Sequence, residues 1–139
     1  MTVTSTRTGS SFNGFGLNVL TFRSSDGVGA SSKDNVASGA PTLNLTTTQA
    51  NSAIVVANGD WSATDGASRT WRTNAGALTE KTYDFQSAQF TVYGGYHADA
   101  GAIATYAVGL SAPGAQKYSI AAVEVKGAAS DTLYAQSIM

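Results

Sequence analysis

The residues of this chain that could carry out acid–base or metal chemistry are few and lie far apart. The single histidine, His97, stands two residues before Asp99, and an imidazole beside a carboxylate can move a proton in a hydrolase. However, no serine occupies the strand-to-helix turn motif that presents a nucleophile, and one histidine alone is a poor metal site. We therefore expect His97 to be a polar turn residue that follows a strand.

Two pairs of carboxylates could also be functional. Asp60 and Asp65 bracket a loop and could bind Ca²⁺, but their spacing lacks the alternating pattern of a calcium loop. Asx hydrogen bonds that close turns are the favoured interpretation. Glu80 and Asp84 are the best-spaced pair for two-carboxylate catalysis, yet they lie in a polar stretch without an apolar pocket to raise a pKa. The sequence therefore predicts no enzyme, no metal and no cofactor.

Aromatic and basic side chains offer a binding surface instead. Trp61 and Tyr96 could stack on sugar rings, because aromatic rings contact the apolar faces of sugars. Arg69 and Arg72 flank Trp71, which we expect to pack in the core. The two arginines are either ligand contacts or solvated charges that discourage pairing of sheet edges. The candidate contact surface is therefore Trp61, Tyr96, Arg69 and Arg72.

Composition excludes several partners and compartments. Only 12% of the 139 residues are charged and the net charge is −1, so no basic field attracts nucleic acid or an anionic membrane. No cysteine is present, which excludes disulfides, thiolate zinc sites and cysteine nucleophiles. The N-terminal sequence lacks a signal-peptide core, and no apolar run approaches the ~20 residues that span a bilayer. The pairs Glu80–Lys81 and Glu124–Lys126 are expected on the surface.

The elements that must position these residues are β-strands. An apolar run at 53–57 stops at the turn Asn58-Gly59-Asp60, and a second turn at Asp65-Gly66 precedes the strand residues 70–72. Alternating apolar residues predict further strands, and no segment has a sustained helical period. We predict an all-β, antiparallel β-sandwich, jelly-roll-like, with seven or eight strands, among them 15–22, 43–46, 54–57, 86–96, 102–110 and 117–126. The polar residues Ser24 to Gly39 are expected to form a long loop.

Both ends of the chain are expected to be extended arms. Residues 1–11 form a polar N-terminal arm, residues 12–127 the sandwich, and residues 128–139 a C-terminal tail. The tail carries apolar residues for which a finished sandwich has no place. It either adds one more strand or docks on a neighbouring chain, and the second alternative makes it an inter-subunit tail through Leu133, Tyr134, Ile138 and Met139.

From about Leu43 to Ala128 the chain resembles a β-sandwich domain that recurs in minor tail and receptor-binding proteins of bacteriophages, especially those of actinobacteria. The resemblance covers roughly two thirds of the chain and rests on the segments Asn51–Val56, Gly59–Trp61, Asp65–Trp71, Thr91–His97, Val108–Gly114 and Tyr118–Val125. It implies a fold and a virion setting, and no particular activity.

Two functions from different classes follow as expectations. The first is a bacteriophage virion structural protein, a capsid decoration or tail protein that is made in the host cytoplasm and assembles with itself and with other virion proteins. The second is a carbohydrate-binding module that attaches to host-surface glycan, with Trp61, Tyr96 and the Ser24–Gly39 loop at its rim. A hydrolase on a jelly-roll scaffold is disfavoured by the isolated His97 and the missing carboxylate pair. No nucleic acid and no membrane is expected as a partner.

Overall fold

The computed structural model describes residues 2–4, 6, 8 and 18–128, together with the backbone of 134–137. This part of the chain is all β and contains no helix, hence none long and apolar enough to cross a membrane. The strands, numbered in chain order, are β1 (Leu20–Arg23), β2 (Ser25–Gly39), β3 (Thr42–Thr46), β4 (Ala53–Asp60), β5 (Thr70–Trp71), β6 (Leu78–Gln86), β7 (Phe90–His97), β8 (Thr105–Ala112), β9 (Gln116–Gly127) and β10 (Tyr134–Ser137).

Two antiparallel sheets pack face to face. The larger sheet has the strand order β2-β9-β4-β7-β6, and the smaller has the order β3-β8-β5. The two remaining strands, β1 and β10, form a separate antiparallel ribbon. The predicted antiparallel β-sandwich is therefore confirmed, while the jelly-roll topology stays a prediction.

The core lies between the two sheets, and strand alternation explains its composition. Successive side chains of a strand point to opposite faces, so Ile54 and Val56 of β4 face the smaller sheet and are buried. Leu43 and Leu45 of β3 alternate in the same way and meet them from the other side. The predicted core positions Ile54 and Val56 are confirmed, whereas Val55 faces outward and is half-buried. Trp71 packs against the core and is partly buried.

The predicted loop from Ser24 to Gly39 is wrong, because β2 occupies nearly all of it. This strand is 15 residues long and pairs antiparallel with β9, with three shifts of register along its length. It forms an edge of the larger sheet, and most of its side chains are exposed on both faces. A strand exposed in this way needs no apolar alternation, so its sequence resembles that of a loop.

The first and last strands of the described residues pair with each other in the β1–β10 ribbon. Leu20 lies opposite Ser137 and Arg23 opposite Tyr134, so the described part of the tail closes one more strand within its own chain. Of the predicted strand at 15–22, residues 20–22 belong to β1, and the residues up to 17 lie outside the described part. Leu133, Ile138 and Met139 of the predicted inter-subunit tail also lie outside the described residues.

Candidate functional site

The outer face of the larger sheet has a depression where small side chains line up on neighbouring strands. The register places Ala57 and Gly59 of β4 beside Ala121 and Ser119 of β9, and Val92 of β7 next to Gly59. These five residues form the floor of a depression of ≈ 400 Å³, which we name the outer trough. Because the floor residues are small, the sheet backbone itself is accessible across the trough.

Polar side chains border the trough on both sides. Lys33 and Asn35 of β2 line one side. On the other side the depression continues over Val92 and Gly94 toward β6, where it is lined by Thr82, Asp84 and Phe90, and by Asn18, whose amide donates a hydrogen bond to the Thr82 hydroxyl. The trough thus combines a small-residue floor with hydrogen-bonding groups at its borders.

Trp61 follows directly on β4, the middle strand of the larger sheet, so it stands beside the middle of the trough, and it is 61% exposed. Its indole Nε1–H donates to Ser119 Oγ on the trough floor at 3.3 Å, and its backbone N–H donates to the Lys117 carbonyl at 2.7 Å. The preceding residue, Asp60, is buried and accepts hydrogen bonds from the backbone N–H groups of Ser62 and Thr64, both at 2.8 Å. The predicted Asx turn at Asp60 is confirmed, and it fixes the loop that presents the indole.

The second predicted Asx turn is also confirmed. Asp65 Oδ1 accepts a hydrogen bond from the Ala67 backbone N–H at 2.9 Å and another from the Tyr83 hydroxyl at 2.8 Å. The hydrogen bond from Ala67 lowers the pKa of the Asp65 carboxyl, and that from Tyr83 acts in the same direction. Asp60 and Asp65 therefore use their carboxylates to close turns, as expected from the sequence.

Tyr96 is not at the rim of this surface, contrary to the prediction. It is only 8% exposed, and the ring of Phe22 from β1 packs edge-on against it with 6.0 Å between the ring centres. The Lys81 ammonium lies 5.9 Å from the centre of the Tyr96 ring. Tyr96 faces outward on β7 as its position predicts, but the ribbon covers it, so it anchors β1 to the sheet.

Arg69 is part of a half-buried polar cluster and is not a solvated edge charge. Its guanidinium forms an ion pair with Glu80 and lies 3.9 Å from the centre of the Tyr83 ring. Trp71 Nε1–H donates to the same Glu80 carboxylate at 2.6 Å. The hydrogen bond from Arg69 is the main cause that lowers the pKa of Glu80, so the expectation of a surface Glu80 is wrong as well. This cluster pins the segment after Trp61 to β6.

Arg72 does not join that cluster. Its backbone N–H donates to the Gly109 carbonyl at 2.8 Å, which continues the pairing of β5 with β8. Its side chain is half-buried, and its Nε has no partner among the described residues. Of the four predicted surface residues, only Trp61 therefore lies beside the outer trough.

Glu124 was expected on the surface and is in fact completely buried. Its carboxylate accepts hydrogen bonds from the backbone N–H groups of Ala30, Thr48 and Gln49 at 2.8–3.0 Å, and from the hydroxyls of Thr48 and Ser52 at 2.8 Å. Burial raises the pKa of this carboxyl, but the hydrogen bonds outweigh burial and lower the pKa to about 2. Glu124 ties β2 and the β3–β4 turn to β9.

His97 is the buried last residue of β7, and the prediction of a polar turn residue is wrong. Its Nδ1–H donates to the Gly76 carbonyl at 3.0 Å, since a carbonyl can only accept, and Nε2 has no partner among the described residues. Burial lowers the pKa of His97. Asp99 does not orient this imidazole, because its Oδ1 accepts a hydrogen bond from the Gly101 N–H at 2.7 Å.

The predicted carboxylate pair does not form a site. Glu80 faces the inside of the sandwich with Arg69, whereas Asp84 faces outward and accepts a hydrogen bond from Gln86 Nε2 at 2.7 Å. Across residues 18–128 and the other described positions, no three His, Asp or Glu side chains come together in a group that could hold a metal ion. The carboxylates of Glu80, Asp60 and Glu124 are all used to hold the fold.

Sequence reasoning missed the outer trough. Its only signal is the recurrence of small residues at alternating positions, Ala57 and Gly59 in β4 and Ser119 and Ala121 in β9. Alternation of this kind becomes informative only when the register of the two strands is known. Comparison of the chain with protein-family models, curated proteins and solved structures finds no match in any of the three.

Proposed function

We propose that this chain is a non-catalytic structural module of a bacteriophage particle, where it decorates the capsid or tail and assembles with copies of itself. The resemblance of residues 43–128 to virion-surface sandwich domains supports the proposal. A second support is that Glu80, Asp60 and Glu124 hold loops and strands, as suits a protein whose task is to keep its shape. The low content of charged residues, 12% of the chain, also agrees with a structural protein of the particle surface.

The observation that carries the proposal is the ribbon in which the described part of the C-terminal tail pairs with β1. Leu20 lies opposite Ser137 and Arg23 opposite Tyr134, so the tail runs antiparallel beside β1 and apart from the two packed sheets. A two-stranded ribbon is marginally stable by itself, and an added strand from another subunit would supply backbone hydrogen bonds along its edge. A sandwich that is held to a neighbouring subunit through this ribbon would keep the rest of its surface exposed.

The edges of the larger sheet are less suited to assembly than the ribbon. The edge strand β2 carries Lys33 and three register shifts, and the opposite edge strand β6 carries Lys81 beside a shift between Glu80 and Thr82. Bulges and lysines at an edge hinder the pairing of further strands. Self-association through the arms therefore fits this molecule better than extension of the larger sheet.

Removal of the tail tests the assembly proposal. The intact chain and a chain lacking residues 131–139 are weighed by light scattering over a range of concentrations, with melting curves to confirm that both are folded. We expect the intact chain to self-associate and the truncated chain to remain a monomer. The proposal fails if the two chains assemble alike, or if the intact chain is monomeric throughout and is absent from purified phage particles.

Carbohydrate binding is the second candidate function, and a specific observation favours it. Trp61 is exposed and fixed beside the outer trough, and the Ser24–Gly39 segment borders the trough as strand β2, whereas Tyr96 does not contribute to the rim. A glycan array distinguishes this function from a purely structural one, because only a binding module retains saccharides. The proposed site and its ligand class are developed in the next subsection.

A further inference from the structure

We infer that the outer trough binds a neutral saccharide chain, with Trp61 stacked on a sugar ring beside the middle of the trough. This inference rests on the second candidate function and names the site and the ligand class for it. The floor is made by Ala57, Gly59, Val92, Ser119 and Ala121, and Trp61 is tied to this floor through Ser119. Five observations support the inference: the exposure of the indole, its fixed position, the shape of the floor, the polar borders and the charges.

The exposure of Trp61 is the first observation. An aromatic side chain typically buries 150–250 Å², and a tryptophan that is 61% exposed leaves much of that area in water. The single polar atom of the indole already donates to Ser119, so the surface that remains free is the apolar face of the rings. The apolar C–H face of a sugar ring is a natural partner for such a surface.

The indole is also held in position before a ligand arrives. The backbone N–H of Trp61 extends the pairing of β4 with β9, and the Asp60 carboxylate closes the loop that follows. A fixed platform loses little conformational entropy on binding, which favours affinity for a ligand that is itself weakly hydrophobic. The preorganised position argues for recognition and against an incidental surface residue.

The shape of the floor favours an extended ligand. The trough and a second depression, which share Ala57 and Val92, together cross the larger sheet from Lys33 on β2 to Asp84 on β6, the two edge strands. With about 4.8 Å between neighbouring strands, this path is roughly 19 Å long. A chain of several sugar units lies flat along a path of this length, whereas a single small molecule would occupy only part of it.

The polar borders offer both donors and acceptors. Lys33 can only donate, Asn35 can donate and accept, and the Asp84 carboxylate can only accept. Sugar hydroxyls both donate and accept, so they match a border of mixed groups. An apolar peptide face or a lipid chain would leave these groups without partners, which costs free energy on binding.

The charges point to a neutral ligand. Lys33 lies at one side of the trough and Asp84 at the other, so one ammonium faces one carboxylate across it. An anionic polymer gains no net attraction from this pair of charges, and the chain as a whole carries a net charge of −1. Neither nucleic acid nor an acidic polysaccharide is favoured by this arrangement.

Calorimetric titration of the full-length protein tests the inference. The probes are neutral hexasaccharides of glucose, mannose, galactose, xylose and N-acetylglucosamine, with a galacturonate hexamer as the charged comparison. We expect at least one neutral hexasaccharide to bind, and the galacturonate hexamer to bind more weakly. Trp61→Ala is expected to weaken binding roughly tenfold or more, because it removes the stacking surface.

Gly59→Val is the second variant, and it places a branched side chain over the trough floor. A Cβ atom built on Gly59 meets nothing within 4 Å, so the added side chain starts in open space. We expect this variant to weaken binding roughly tenfold or more as well. Gly114→Val and Ile103→Ala are the matched controls, since Gly114 is equally open and Ile103 is 59% exposed in another loop.

Three outcomes overturn the inference. The first is that none of the neutral hexasaccharides binds, and the second is that Trp61→Ala and Gly59→Val bind as the unaltered protein does. The third is that these two variants change the molecular mass by light scattering instead, which makes the trough a contact between copies of the chain. A protein that assembles through its tail but binds no hexasaccharide retains the virion proposal and loses only this inference.

Discussion

The two ends of strand β4 are built in opposite ways. Beside Ile54, where the strand begins, the buried carboxylate of Glu124 accepts hydrogen bonds from four residues of two other chain segments. Just beyond Asp60, where the strand ends, Trp61 is exposed and fixed next to an open trough. The first end uses a charged residue to hold the fold, and the second leaves a large aromatic surface free.

This difference shows where function is to be sought in a chain of this kind. Two residues whose type could support chemistry, His97 and Glu80, are bonded to their neighbours, and His97 is buried while Glu80 is half-buried. The residues around Trp61 are small or exposed, and the fold does not require their outward faces. Substitutions at the two ends should therefore separate stability from binding.

The largest effect on stability is expected for Glu124→Gln. Glutamine keeps one acceptor oxygen but turns an NH₂ group toward donors, so at least two hydrogen bonds to a charged group are lost, each worth about 1.5–3 kcal/mol. We expect the free energy of unfolding to fall by about 3–6 kcal/mol in urea titrations. Asp26→Asn, at an exposed position in β2, is the control, and a similar loss for both variants would contradict the structural role of Glu124.

Ile54→Ala is expected to have the next largest effect. Ile54 is completely buried between the sheets, and removing such a side chain costs about 2–5 kcal/mol. Its neighbour Val55 faces outward and is half-buried, so Val55→Ala should cost less than half as much in the same melts. Equal losses for the two variants would show that the assignment of faces on β4 is wrong.

Acid should destabilise the protein in two successive ranges of pH. The folded pKa of His97 is below its usual 6.5, so its contribution to stability is complete above about 6.5 and is lost as the pH falls below that value. The pKa of Glu124 is lowered from 4.5 to about 2, so its contribution is lost as the pH falls from about 4.5 toward 2.

Urea titrations at a series of pH values measure both losses. His97→Gln should remove the dependence in the first range, and Glu124→Gln should reduce it in the second, where Asp65 and Glu80, whose pKa values are also lowered, account for the remainder. The two variants are each other's control, because each should leave the other range unchanged. Stability that is constant from pH 7 to pH 5 in the unaltered protein would contradict the buried neutral state of His97.

The smallest effect on stability is expected for Trp61→Ala. The Trp61 side chain is 61% exposed, so its removal should change the free energy of unfolding by no more than about 0.5 kcal/mol, as for other surface positions. Trp71→Ala is the comparison, since Trp71 packs against the core and donates to Glu80. If Trp61→Ala destabilises the protein as much as Trp71→Ala does, Trp61 is a structural residue and its exposure carries no functional meaning.

The sequence predicted the sandwich because its buried strands alternate. Leu43 and Leu45, and Ile54 and Val56, repeat with the period of a strand that has one buried face. Strand β2 gave no such signal, because it is an edge strand with solvent on both faces of most residues. Local patterns thus identify strands that face the core and miss those that do not.

The candidate site was harder to predict because it depends on residues that are distant in the sequence. The donors to Glu124 come from residues 72 to 94 positions away, and the floor of the outer trough joins β4 to β7 and β9. Arg69 and Glu80 are separated by ten residues and a turn, so their pairing is equally invisible in the sequence. Of the residues in and beside the trough, only Trp61 is predicted from the sequence as part of a contact surface. The turn residues Gly59 and Asp60 that precede it indicate that it lies in a loop.

The most direct test of the account is the fluorescence of Trp61 during a saccharide titration. Trp71→Phe leaves Trp61 as the only tryptophan, since the chain has two. Each neutral hexasaccharide of the calorimetric panel is added to this variant, and to the same variant carrying Gly59→Val. The account predicts that a hexasaccharide that binds shifts the Trp61 emission to shorter wavelength and that the shift saturates, with no shift once valine fills the trough. An emission that stays constant while calorimetry detects binding, or a shift that persists with Gly59→Val, would contradict it.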